Sequence, residues 1–137
     1  MKLGILGTLS LAIMLISQVA FAETVKIGFV TTLTGGAGAI GNDMRDAVEL
    51  ALDHLGRKMG GSDVKVFYED DTFKPAVGKQ KTEKLVKKDK VHFVGGYIWS
   101  HVLMASRNSV VGKGPFMITS NAGPGPVAGK LCHEDFF

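Results

Sequence analysis

The chain has 137 residues, a formal charge of +3 and 45% apolar residues. This length suits a single core rather than two domains, and a balance this close to neutral, without a basic stripe, excludes a nucleic-acid binder. The lone cysteine, Cys132, excludes a disulfide framework or a CxxC pair within the chain; it is either a buried filler or, the favoured expectation, the partner of a cysteine outside this chain.

The chain opens with "MKLGILGTLSLAIMLISQVAFA": Lys2, an apolar run from Leu3 to Ile16, and the small residues Ala20 and Ala22 around Phe21. This pattern reads as a secretory signal peptide over residues 1–22, cleaved after Ala22. A run of about 14 residues is too short for a membrane span, which needs roughly 20. Cleavage leaves residues 23–137, and the loss of Lys2 lowers the charge to +2.

The rest alternates strands and helices. "VKIGFV", Val25 to Val30, is apolar on both faces, as a buried parallel strand is. A glycine-rich loop follows, then a helix over "NDMRDAVELALDHLG". Met44, Ala47, Val48, Ala51 and Leu55 form its expected apolar stripe, with Asn42 as N-cap and Gly56 as stop. A second strand runs from Val64 to about Glu69. A second helix starts at Pro75 and runs to about Lys88; its lysines read as a solvated outer face, with Val77, Leu85 and Val86 turned inward. "VHFVGG" is a third strand, and "SHVLMASRNSVVG" is a third helix with Ser100 as N-cap. "PFMITS" is a fourth strand and "NAGPGPVAG" a loop. The order β-α-β-α-β-α-β predicts an α/β fold, a parallel sheet with helices on both faces.

Gly36, Gly38 and Gly41 in "GGAGAIG" fit G-x-G-x-x-G. In a dinucleotide-binding turn the first glycine sits at the strand end and an acidic residue follows about 20 residues on. Here "TTLTG" separates Val30 from Gly36, and the acidic candidate Glu69 comes 33 residues later. The spacing argues against a nucleotide, and no cofactor is expected. "EDD", Glu69 to Asp71, reads as structural or solvated rather than as an acid–base pair. His54, His92, His101 and His133 lack metal-ligand spacing, and no catalytic motif is present. Enzyme activity is not expected.

Ligands of open α/β sheets sit beyond the carboxyl ends of the strands. Three small, polar or glycine-rich segments meet there: "TTLTGGAGAIG", "GGYIWSHV" and "TSNAGPGP". The amides opening the Ser100 helix would favour an anion such as a carboxylate. Trp99 offers a flat apolar wall or packs in the core, and His101 lies near the cleft.

Taken in order, "VKIGFVTTLTGGAGAIGNDMRDAVELALDHLG", "VFYEDDTFKPAVGKQKTEKLVKKDKVHFVGGYIWS" and "PFMITSNAGP" resemble the periplasmic leucine/isoleucine/valine-binding family, the type I solute receptors of ABC importers. The resemblance implies a two-lobed clamp. Its first lobe would hold an amino acid or aromatic acid with Trp99 and Ser100 after the third strand, and with Asn121, Ala122 and Gly123 after the fourth. Ile40 stands where amino-acid binders often carry a tyrosine, a departure that shifts the expectation from branched-chain amino acids toward aromatic acids. The resemblance also implies a periplasmic location and an ABC permease as partner. Since such receptors need a second lobe, residues 23–137 are expected to be a partial N-terminal lobe, with Phe136 and Phe137 exposed. The alternatives are an exported sensor domain of the same fold or, less expected, an exported α/β enzyme.

Overall fold

A computed structural model describes residues 23–137; the signal-peptide expectation falls on residues outside this range. The elements are β1 (Val25–Thr31), α1 (Gly38–His54), β2 (Lys58–Met59), β3 (Ser62–Asp70), α2 (Pro75–Lys84) continued by a π-helical turn (Leu85–Asp89), β4 (Phe93–Gly96), α3 (Ser100–Arg107), β5 (Phe116–Met117) and a 3-10 turn (Gly125–Ala128). The sheet order is β2-β3-β1-β4-β5. All pairings are parallel except the β2–β3 hairpin, so the expected α/β architecture holds.

Alternation along β1 assigns its residues to two faces. A Cβ on Gly28 would lie 2.8 Å from Leu85 Cδ1, so Gly28 and Val30 face the layer of α2 and α3. Leu85, Val94, Tyr97, Val102 and Leu103 fill that side, all fully buried. On the opposite face, Val48 of α1 lines an apolar cavity with Ile27, Phe29, Met59, Phe93 and Ile118. α1 covers this side incompletely: Phe116 and Ile118 remain 42% and 46% exposed.

Several boundaries differ from the sequence expectation. α1 begins at Gly38, not Asn42, so half of the glycine loop is helix. Asn42 is not a cap; its Nδ2 donates to the carbonyls of Leu33 and Gly38. The sheet-facing stripe of α1 is Gly41, Met44, Val48 and Leu52, whereas Ala47, Ala51 and Leu55 are exposed. Two tertiary contacts set this rotation. Tyr68 on β3 donates to Glu49 at 2.7 Å, and Gly41 packs directly on the Thr32 carbonyl, where a Cβ would not fit. Gly60 and Gly61, with φ of 58° and 85°, turn a hairpin that sequence reading missed. α3 stops at Arg107 rather than near Gly112, and the expected fourth strand shrinks to two residues. The terminal phenylalanines also differ. Phe136 bridges Met117 and packs on the core, and only Phe137 is exposed, at 66%. Cys132 is exposed and free among the described residues.

Candidate functional site

The loops that follow β1 and β3 are stapled together by the acidic pair at the end of β3. Asp70 accepts hydrogen bonds from the Leu33 amide at 2.9 Å, the Thr34 hydroxyl at 2.5 Å and the Thr72 amide at 2.9 Å. Asp71, fully buried, accepts from the Thr32 hydroxyl at 2.5 Å and the Phe73 amide at 2.8 Å. The two carboxylates therefore bind both the loop after β1 and the loop after β3, a structural role. Glu69 points elsewhere, to Lys81 at 2.8 Å and Lys84 at 2.5 Å on α2.

Burial opposes ionisation of Asp70, but the Thr34 hydroxyl and the amides of Leu33 and Thr72 outweigh it and hold the carboxyl below its ordinary value. A carboxyl whose folded pKa is depressed adds stability above its unfolded value of about 3.9 and loses it as the pH falls through the folded value. Stability should therefore be flat between about pH 7 and 5 and fall steeply below about pH 4. Urea titrations at stepped pH should show Asp70→Asn with a shallower acid slope; an unchanged slope would remove Asp70 from the staple.

The staple holds an unusual loop. Thr72 and Phe73 adopt φ of 50° and 63°, left-handed conformations for two non-glycine residues in a row. Such positions cost on the order of 1–3 kcal/mol each and persist only where the surroundings enforce them. The loop presents Phe73, 48% exposed, edge-on to Trp99 at 4.8 Å and to His101 at 5.0 Å. Sequence reading did not single out Phe73, because nothing in "DDTFKP" marks a left-handed pair. His101 does stand at the site.

Trp99 is half-buried against the core, and its Nε1 donates to the Thr32 hydroxyl at 3.0 Å, which in turn donates to Asp71. Its cap position corrects the expectation for Ser100. Trp99 is extended at φ −108°, ψ 128°, and its carbonyl accepts from the Leu103 amide at 3.0 Å. Ser100 is thus the first helical residue and exposed, not the N-cap. The amides of Ser100, His101 and Val102 precede the first intrahelical bond, as at any helix start; Ser100 and His101 are exposed, whereas Val102 is fully buried.

On the last loop, Asn121 donates to the Ile98 carbonyl at 3.0 Å, and the Ala122 amide donates to the Tyr97 carbonyl at 3.2 Å. These bonds fix the loop against the Trp99 segment and occupy the amide of Ala122, a residue that the resemblance assigns to the ligand. Gly123 is exposed, with open space where a Cβ would lie. Ile40 is in the first turn of α1 and 46% exposed. Hydrogen bonds thus tie Asn121 and Ala122 to the backbone of Ile98 and Tyr97, just before Trp99 and Ser100, and ring contacts add Phe73 and His101; among the described residues no such contact ties Gly123 or Ile40 to them. Among the described residues no cluster of three or more His, Cys, Asp or Glu could hold a metal ion. No described helix is long and apolar enough to cross a membrane.

Residues 24–137 match the periplasmic binding protein family. The Leu/Ile/Val-binding protein BraC3 of Rhizobium johnstonii is 30% identical over 114 residues, covering 79% of this chain and 31% of its own length. Among solved structures, an ABC-transporter substrate-binding protein from Sphaerobacter thermophilus superposes with a TM-score of 0.79 at 30% identity, covering 84% of this chain and 32% of that one. An ABC-transporter solute-binding protein from R. palustris, in complex with benzoate, gives 0.79 at 25% identity, covering 84% and 32%. The chain spans about a third of the length of these relatives.

Proposed function

The chain belongs to the periplasmic binding protein family, and on that premise we propose that it carries half of the solute site of an ABC importer's receptor, exported to the periplasm with cleavage after Ala22. The solute is a small carboxylate, and a second lobe completes the clamp and the docking to the permease. The observation that carries this reading is the start of α3, where unpaired amides stand beside Trp99 at the carboxyl ends of the strands. Amides at a positive helix end favour a carboxylate, and those of the exposed Ser100 and His101 are the accessible ones. The aromatic edge and face groups of Phe73, Trp99 and His101 favour an apolar, planar body next to it. Support comes from the relatives: one is named for leucine, isoleucine and valine, another is in complex with benzoate. Of the two ligand classes, the aromatic cluster favours the aromatic acid.

Trp99 is the only tryptophan, so its emission reports on this site alone. Titration with benzoate and with isoleucine should change that emission saturably, with benzoate the stronger. Ser100→Pro is the sharper variant. Proline is tolerated at the first helical position, and the extended Trp99 suits a residue preceding proline, so the helix survives while one amide and one hydroxyl are deleted. Loss of a charge-assisted hydrogen bond worth roughly 1.5–3 kcal/mol should weaken carboxylate binding about tenfold or more. Equal affinity in wild type and Ser100→Pro would remove the anion site from α3.

A further inference from the structure

The lysines of α2 do not form the uniform solvated face that the sequence suggests. Residues 74–90 hold seven lysines, Lys74, Lys79, Lys81, Lys84, Lys87, Lys88 and Lys90, against two acids, Glu83 and Asp89. Lys81 and Lys84 are spent on Glu69, with Lys84 also reaching Asp89 at 3.1 Å. On the other flank, Lys79, Glu83, Val86 and Lys87 follow helical spacing and form one wall of a groove of about 470 Å³. Ala105, Asn108, Ser109 and Lys113, from α3 and the turns after it, form the other wall. Glu83 is already satisfied by Lys87 at 2.8 Å and by the Ser109 hydroxyl at 3.5 Å. Lys87 above all, then Lys79, holds its carboxyl below the ordinary value, as expected inside a positive groove. Lys79 and Lys113 make no ion pair among the described residues. The groove therefore carries two cations outside any ion pair, with Val86 and Ala105 as apolar lining on its two walls.

We propose that this groove is a docking surface for an acidic segment of a partner protein, whose carboxylates pair with Lys79 and Lys113 while an apolar side chain between them rests on Val86 and Ala105. Charge complementarity gives such a contact its specificity and its on-rate. A bilayer of anionic lipid fits the same charges less well. A flat surface does not enter a concave groove, and membrane-surface helices insert large apolar side chains. Among the described residues, none of the exposed large apolar side chains lies in this groove. The surface is on the flank of α2 and α3 rather than at the cleft, so it does not depend on the solute reading.

The test uses fluorescence anisotropy with the full chain and three probes: a labelled, blocked Glu-Leu-Glu-Leu-Glu peptide, its Lys-Leu-Lys-Leu-Lys counterpart, and phosphatidylglycerol vesicles. The acidic peptide should bind saturably and weaken as salt is raised. Lys79→Glu combined with Lys113→Glu should weaken it about tenfold or more. The same charge reversal at Lys65 and Lys130, exposed and away from the groove, should leave affinity within about twofold. Circular dichroism should show all variants folded, since every changed side chain is exposed. The proposal is overturned if the acidic peptide does not saturate, if the basic peptide binds as well, if vesicles bind and the peptide does not, or if the Lys65 and Lys130 reversal weakens binding equally.

Discussion

Asp71→Ala should destabilise the chain by about 2–4 kcal/mol and loosen the site at the same time. The Asp71 carboxylate accepts one hydroxyl and one amide, and hydrogen bonds to charged groups are worth roughly 1.5–3 kcal/mol each. Part of that loss is offset, because Oδ2 is buried without a partner and its desolvation cost disappears with the side chain. Without Asp71 the left-handed Phe73 loses its side-chain acceptor and only Asp70 still holds Thr72, and Thr32 loses the acceptor that orients it toward Trp99. Urea unfolding followed by Trp99 emission should therefore show a lower midpoint and a red-shifted native spectrum. Asp71→Asn keeps an acceptor at Oδ1 and should lose less than half as much. An Asp71→Ala variant that unfolds at the wild-type midpoint with an unchanged spectrum would show that the staple contributes nothing.

Leu85→Ala should cost more, about 3–5 kcal/mol, because Leu85 is fully buried between the π-helical turn and β1. Against a total stability of roughly 5–15 kcal/mol, that is enough to populate unfolded chain. Gly28 supplies the internal control. A methyl there would press on Leu85 at 2.8 Å, so Gly28→Ala alone should destabilise by about 1–3 kcal/mol through overpacking. Once Leu85 is truncated, the same methyl enters vacated space. The double variant should thus be more stable than the sum of the singles implies, by about 1 kcal/mol or more. Strict additivity in denaturant titrations would mean that the two residues do not share the contact described.

The strands were legible because their signal is local. "VKIGFV" and "VHFVGG" are apolar runs with no helical period, and the structure places both at the centre of the sheet. The rotation of α1 was not legible. Its period admits neighbouring stripes, and the choice is made by Gly41 against Thr32 and by Glu49 against Tyr68, contacts between residues distant in sequence. The turn at Gly60 and Gly61 had a signal in the paired glycines, which went unused. The approach of Asn121 and Ala122 to the segment before Trp99 was legible from strand order alone, because loops after parallel strands converge. Phe73 was not: its conformation comes from two carboxylates that bond forward to Thr72 and Phe73, and no residue type announces it. The cap at Trp99 was misplaced for a related reason. Serine is the preferred cap by type, but here the helix begins one residue earlier, at a carbonyl, without a side-chain bond.

A small carboxylate bound at the carboxyl ends of β1, β3 and β4, as proposed, would be seen residue by residue. If the solute is shared with a second lobe, as proposed, binding by residues 23–137 is weak, since such sites gain affinity by burying most of the ligand surface. Nuclear magnetic resonance detects weak contacts residue by residue, so the direct measurement is a titration of the 15N-labelled chain with benzoate and isoleucine. Saturable shifts are expected, confined to residues 33–40, 72–73, 96–101 and 119–123, larger for benzoate and diminished in Ser100→Pro. Shifts centred instead on the apolar cavity lined by Ile27, Phe29 and Phe93, or none at saturating ligand, would contradict the proposed site.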